Sequence, residues 1–219
     1  LEVSAPVIAV FLTMIFGGFL FLSMGKNPFE AIKLIFWDPI MSPTFSEYSR
    51  PQLVIKAAPL ILIALGLSFG FRANIWNIGA EGQYIMGALI SGSIGLALYP
   101  LDSMFIFPLM ILGGIIGGIF WAMIPAILKI RFNTNEILVS LMLVYVAEQI
   151  LALASVGFLR NPEGLGFPGS RDLSKYPSAA NPELIANSGM HMGVIFSIIA
   201  VIVLTFFLIY HRLGFQIKL

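Results

Sequence analysis

Apolar residues along this chain fall in long blocks, with the polar residues gathered between them. The blocks cover residues 6–24, 54–71, 84–99, 105–128, 137–157 and 192–210. Most have the length, about 17–25 residues, at which a helix crosses the hydrocarbon core of a bilayer. The pattern predicts an all-α polytopic transmembrane helical bundle with about six spans in residues 1–219. The block 84–99 is short, roughly 24 Å at the helical rise. Its helix is expected to begin earlier, among the Gly, Glu and Gln residues before it, which predicts a broken helix around 74–83.

The polar stretches divide the chain further. Residues 25–52 are broken by Pro28, Pro39, Pro43 and Pro51 and form an external polar and amphipathic segment. Within it, 29–37 reads as a short amphipathic helix lying at the interface with Lys33 on its wet side. Pro59 is expected to kink the second span, as membrane helices tolerate. Pro100 and Asp102 mark a tight turn. Residues 158–190 carry Pro162, Pro168, Pro177 and Pro182 and no helical period, and read as an external loop.

Composition supports bilayer as the solvent. Only 11% of the 219 residues are charged and 58% are hydrophobic, with a mean hydropathy of +0.95. Soluble domains carry about 25% charge. The net charge of +1 gives no nucleic-acid footprint. The absence of cysteine excludes disulfides, thiolate catalysis and zinc–thiolate sites. The chain begins at Leu1 rather than Met, and Leu1 and Glu2 supply no basic n-region. The first block therefore reads as a span and not a signal peptide. The short segments after the second, fourth and sixth blocks hold Arg72, Lys129, Arg131, Arg212 and Lys218. Basic residues mark the cytoplasmic side, so these segments and the N-terminus are expected in the cytoplasm.

Candidate chemistry is concentrated in three places. Residues 74–83 hold Asn74, Asn77, Gly79, Glu81, Gly82 and Gln83 at the start of a helix otherwise too short to span. Irregular polar backbone at membrane depth occurs where protein buries it or water lines it, and transporters place broken helices at their substrate sites. The plainer alternative is a cytoplasmic loop with a Gly-assisted turn, with Glu81 favoured by the helix dipole. Tyr145, Glu148 and Gln149, spaced i, i+3, i+4, share one helix face in mid-span. An ionisable residue there is a functional candidate, and an interhelical polar clamp is the alternative. Gly113, Gly114, Gly117 and Gly118 make overlapping small-xxx-small pairs for close helix packing.

Other patterns carry no chemistry. Gly66-Leu67-Ser68-Phe69-Gly70 matches G-x-S-x-G but lies inside a span, without the strand–turn–helix context a nucleophile needs. His191 and His211 make no metal-ligand spacing. No G-x-x-x-x-G-K-[ST] run is present, so an ATPase driving transport must be another polypeptide.

Asn77-Ile78-Gly79-Ala80-Glu81-Gly82-Gln83, followed by Met86-Gly87-Ala88-Leu89, resembles the signature of simple-sugar and nucleoside ABC importer permeases. These are related to the ribose and branched-chain amino acid permeases. Phe132-Asn133-Thr134-Asn135-Glu136-Ile137, leading to Ser140-Leu141-Met142-Leu143, resembles the segment that enters the family's next span. Arg212-Leu213-Gly214-Phe215 resembles the run before its ATPase-coupling loop. The likeness departs at Val144, where members often carry Asn, and at Leu219, beyond which members continue with a coupling segment and further spans.

The resemblance implies a partial permease domain that binds no cofactor itself and is not an enzyme. ATP and magnesium would be used by partner ABC ATPase subunits. A second, non-identical permease subunit would complete the pathway, and an extracytoplasmic solute-binding protein would deliver the nucleoside or simple sugar, meeting the 158–190 loop. The chain would sit among the lipids of a bacterial inner membrane. An ion-coupled secondary transporter using Glu148, a permease for branched-chain amino acids, and a non-transporting scaffold are the competing readings.

Overall fold

The computed structural model describes residues 4–185, 188–212 and 214. Leu1, Glu2, Leu213, Phe215, Lys218 and Leu219, which entered the reading above, lie outside the described residues. So do positions 186–187 of the long loop. The helices are α1 (Ser4–Ser23), α2 (Pro28–Ile32), α3 (Asp38–Met41), α4 (Ser46–Arg72), α5 (Ala80–Ala97), α6 (Ile106–Phe132), α7 (Glu136–Val156) and α8 (Gly193–Tyr210). A π-helical turn, Lys33–Trp37, joins α2 to α3, and a 3-10 turn covers Leu173–Lys175. The described residues hold no β-strand, only an isolated bridge between Glu183 and His191.

Among the described residues five helices, α1, α4, α6, α7 and α8, are long and apolar enough to cross a membrane. The predicted count was six. The difference lies at α5, whose 18 residues begin with Glu81 and Gln83 in place of apolar positions. It starts at Ala80, inside the polar segment, as its short apolar block required. α4 begins at Ser46 and not at 54, so residues 46–52 belong to a spanning helix and not to the polar linker. α6 likewise runs on to Phe132, with Pro125 inside it.

Contacts divide the chain into two units, residues 1–58 with 183–194 and residues 59–182 with 195–219. In the first, Asn27 caps α2, its Oδ1 accepting the Phe29 N–H at 3.0 Å, with Pro28 at the first helical position. Pro28 and Ile32 pack on Gly18 of α1, where an added Cβ would meet them at 3.5 and 3.9 Å. The Arg50 Nε donates to the Ile40 carbonyl at 2.6 Å, tying α3 to the start of α4.

In the second unit, α5 packs against both α6 and α7. Its contact with α6 is made by glycines. A Cβ on Gly87 would lie 2.9 Å from the Gly114 carbonyl oxygen, and one on Gly117 would lie 3.1 Å from that of Met86. Gly113 receives Ile94, and Gly118 approaches the Gln83 carbonyl. In lipid no hydrophobic force joins helices, so close backbone approach and dispersion supply the attraction.

The turn between α6 and α7 is set by asparagines. Asn133 takes the left-handed conformation (φ 50°) that ends α6. Asn135 then caps α7, its Oδ1 accepting the Ile137 N–H at 3.0 Å and the Leu138 N–H at 3.4 Å.

The segment 158–182 has no α-helix but is closely tied down. Tyr176 is buried with Ile106, Met110 and Ala179. Its hydroxyl donates to the carbonyls of Leu98 (3.1 Å) and Leu101 at the α5–α6 turn. Ser178 Oγ donates to Asp102 at 2.6 Å and accepts the Ser103 N–H at 3.1 Å. Arg171 sits 4.7 Å over the Tyr99 ring and pairs with Glu163 at 3.1 Å. Desolvation, with smaller contributions from Asp102 and Tyr99, holds the Tyr176 phenol above its ordinary pKa, so it stays a donor.

Candidate functional site: the break between α4 and α5

The polar segment 73–79 reverses the chain between α4 and α5, and each of its asparagines has a backbone task. α4 ends in a left-handed residue, Asn74 (φ 57°). The Ile75 N–H returns to the Gly70 carbonyl at 2.8 Å and the Asn74 N–H to that of Phe71 at 3.1 Å. This crossed pair is the Schellman pattern, which satisfies carbonyls that the helix end would leave open. Asn77 Oδ1 then accepts the Gly79 N–H at 2.9 Å, a local Asx turn that leads into α5.

The turn is fastened to α7 by Ser140. Its Oγ accepts the Ile78 N–H at 3.2 Å and donates to the Ile137 carbonyl at 3.1 Å. Gly79 and Gly82 seat α5 on α7. An added Cβ at Gly79 would stand 2.6 Å from the Ser140 carbonyl oxygen, and one at Gly82 would stand 3.1 Å from the Val144 Cα. Val144 is therefore a buried packing position. Trp121 of α6 is buried beside Gly82, and its Nε1 finds no acceptor among the described residues.

At the same end, Lys129 of α6 meets Glu136, the first residue of α7, at 2.9 Å. The Glu136 carboxylate also faces the Trp76 backbone N–H. One ion pair thus bridges α6, α7 and the 73–79 segment. Sequence reading did not single out Lys129 or Glu136 as a pair. The available signal was a pair of opposite charges flanking a short Asn-x-Asn turn.

These groups open on a cavity of about 1030 Å³ between the second half of α4 and α5, α6 and α7. Its polar lining includes Asn74, Asn77, Gln83, Lys129, Glu136 and Ser140. Leu62, Leu67, Ile115 and Ile119 are among the apolar residues of its wall. Of the first predicted set, Asn74, Asn77 and Gln83 line the cavity. Glu81 is exposed away from it, and Gly79 and Gly82 are buried packing residues.

The second set lies elsewhere. Tyr145, Glu148 and Gln149 are exposed on α7, Tyr145 and Gln149 on the side away from its buried stripe of Ser140, Val144, Ala147 and Ala154, and Glu148 at the flank of that stripe, one turn beyond Val144. Tyr145 and Gln149 border a shallow hollow with Val146, Ile150 and Leu153. Among the described residues no side chain clamps Glu148 or Gln149 to another helix of this chain. Among those residues there is also no cluster of His, Asp and Glu suited to a metal ion.

Long lipid-compatible helices with a hydrogen-bonded polar break between two of them mark a multi-pass membrane protein. A sequence model for the family described as branched-chain amino acid transport system / permease component matches residues 50–219, and the chain belongs to that family. It is 29% identical, over 99% of its length, to the glucose ABC transporter permease protein TsgB13 of Haloferax volcanii, of which it covers 58%. It is 26% identical to the nucleoside ABC transporter permease protein NupB of Lactococcus lactis, over 99% of this chain and 60% of that one. It is 25% identical to the guanosine ABC transporter permease protein NupP of Bacillus subtilis, over 97% and 60%. The chain thus spans about three fifths of the length of these curated relatives. No solved structure matches it significantly.

Proposed function

We propose that the chain is the permease subunit of an ATP-driven importer that carries a simple sugar or a nucleoside across the plasma membrane by alternating access. The observation that carries this reading is its similarity, along nearly its whole length, to permeases named for glucose, nucleosides and guanosine. The family description names branched-chain amino acids, but the individual relatives favour hydroxylated solutes.

In this reading the chain performs no covalent chemistry and binds no cofactor. ATP and magnesium belong to ATPase subunits on the cytoplasmic side, where the N-terminus and the α6–α7 turn also lie. A second, non-identical permease completes the path, and an extracytoplasmic solute-binding protein delivers substrate to the side of the 158–182 loop. Asn74, Asn77, Glu81 and Gln83, with Gly79 and Gly82 holding their backbone, lie near the path at one end of the membrane. Tyr145, Glu148 and Gln149 supply hydrogen-bonding groups in its middle. Each conformational state must interact differently with the drivers, because a ligand indifferent to the two states shifts nothing.

Glu148 supports one competing reading, an ion-coupled transporter with that carboxyl as its cation or proton site. Uptake of labelled pentoses, hexoses and nucleosides into cells expressing the full-length gene and its neighbours separates the two. Uptake lost with a Walker-lysine mutation in the partner ATPase supports the importer. Uptake that survives that mutation and collapses with an uncoupler refutes it.

A further inference from the structure

Residues 28–41 form a continuous helical rod of α2, the π-turn and α3. It is held between two spanning helices on one side of the membrane. α1 ends at Ser23, just before the rod, and α4 begins at Ser46, just after it. The short link from Ser23 to Pro28 keeps the start of the rod at the level where α1 leaves the bilayer. Pro28 and Ile32 fix its depth, because both pack on Gly18 of α1. Gly18 lies about 7 Å along α1 from its last residue. An interfacial helix buries its apolar face about 5–10 Å into the headgroup–acyl boundary, so the rod sits at that depth.

The π-turn gives the rod two faces. Its wider turn brings Asp38 beneath Lys33, the residues whose backbones it bonds, and their side chains approach to 3.9 Å. Glu30, Lys33 and Asp38 then share one side. Pro28, Ile32, Phe36 and Ile40, four apart, share the other. α1 covers the first two of these. Phe36 and Ile40 remain open, flanked by Ile35, Trp37 and Phe29, which is 83% exposed. Such a patch on a rod confined to the membrane boundary, with Trp37 among its members, has the amphipathic and aromatic character of an interfacial element.

We propose that residues 28–41 lie in the headgroup–acyl boundary of the leaflet where α1 ends. Phe29, Ile35, Phe36, Trp37 and Ile40 bury in phospholipid, and Glu30 and Lys33 stay in water, with the largely covered Asp38 carboxylate held beside Lys33. The occupant of the apolar face is the bilayer lipid itself. The inference does not rest on the importer reading, and its test does not use transport.

These 219 residues contain no cysteine, so with any cysteine elsewhere in the full-length protein and its partners replaced by serine, single cysteines at Glu30, Lys33, Phe36 and Ile40 can carry nitroxide labels. The full-length protein, with its partner subunits, is reconstituted in phosphatidylcholine vesicles containing phosphatidylglycerol as the minor lipid. Collision with oxygen reports lipid, and collision with a water-soluble nickel chelate reports water. The oxygen-to-nickel ratio is expected to be severalfold higher at Phe36 and Ile40 than at Glu30 and Lys33. Equal ratios along the rod would mean that it is solvated, and low collision with both at Phe36 and Ile40 would mean that protein covers it. Either result overturns the proposal. A second measurement keeps the native side chains at the labelled positions. Brominated phosphatidylcholine should quench the tryptophan emission, and Trp37→Phe should remove a large share of that quenching. Quenching unaltered by Trp37→Phe would also overturn it.

Discussion

Gly79→Ala is the sharpest test of how the polar break is held. An added Cβ would stand 2.6 Å from the Ser140 carbonyl oxygen, 2.8 Å from its Cβ and 3.0 Å from its carbonyl carbon. Carbon atoms in ordinary contact stand about 3.5–4.0 Å apart, and two of these neighbours are backbone, so no rotamer change relieves the clash. α5 must move off α7 by roughly 1 Å. Overpacking of this kind costs about 1–3 kcal/mol. The same movement pulls the Ile78 N–H from Ser140 Oγ, about 1 kcal/mol more. The expected destabilisation of about 2–4 kcal/mol would lower the Tm of the purified complex by roughly 5–10 °C. Gly82→Ala meets its nearest neighbours at 3.1–3.2 Å and should cost less. Gly92→Ala, with nothing within 4 Å, should stabilise α5 slightly because alanine is the better helix former. Ser140→Gly placed in the Gly79→Ala background should restore only part of the loss, since the carbonyl clash persists. A Gly79→Ala protein with wild-type Tm, or a reversed order among the three glycines, would refute the packing argument.

Three further outcomes are expected. A double-mutant cycle of Lys129→Met and Glu136→Gln should give a coupling of about 0.5–1 kcal/mol in thermal unfolding, modest because the lysine is half exposed; zero coupling would remove the bridge from the account. The Tyr176 phenol is held above its ordinary pKa, so the folded loop prefers the protonated form, and its contribution is complete below the unfolded value near about 10. Protease resistance of residues 158–182 should therefore stay level to that pH and fall as pH rises through the raised value, and Tyr176→Phe should be less resistant and lose that alkaline step. On the importer reading, Glu148→Ala should lower uptake without changing the amount of protein in the membrane, while Glu148→Gln keeps more activity; unchanged uptake in both would leave the residue a packing role only.

The apolar blocks located the spanning helices because hydrocarbon tolerates few polar side chains and a helix needs a fixed length to cross it. The start of α5 was legible for the same reason, its apolar run being too short. The start of α4 was not, because Ser46, Glu47, Ser49 and Arg50 carry no apolar signal and Pro51 reads as a break. The helical residues there extend the span beyond its apolar core. That 74–83 holds an irregular polar break before a helix was visible in its composition, but the division of labour within it was not. Asn74 serves a left-handed cap, Asn77 an Asx turn, and Gly79 and Gly82 a contact with α7. None of these follows from residue type alone, since each depends on a partner tens of residues away or on the local dihedral angles. Ser140 shows the limit most clearly, because its partner, Ile78, is 62 residues distant.

α7 brings the two candidate regions into one physical argument. Its buried stripe is small, Ser140, Ala147 and Ala154 with Val144, and lets the glycines of α5 close against it. The flank of that stripe carries Glu148, exposed midway along an apolar helix. A charge there costs about 2.5–3.5 kcal/mol against lipid at the bilayer centre. Among the described residues nothing in this chain offsets that cost. On the proposed reading that face meets water or solute, whereas the α5 side needs neither. On the proposed reading, α7 is the wall between a sealed packing layer and a wet path. Substitutions on its two sides should then separate: stability should fall for Ser140 and Ala147, and transport for Glu148 and Gln149. That separation is what distinguishes a pathway helix from a helix that is polar for assembly alone.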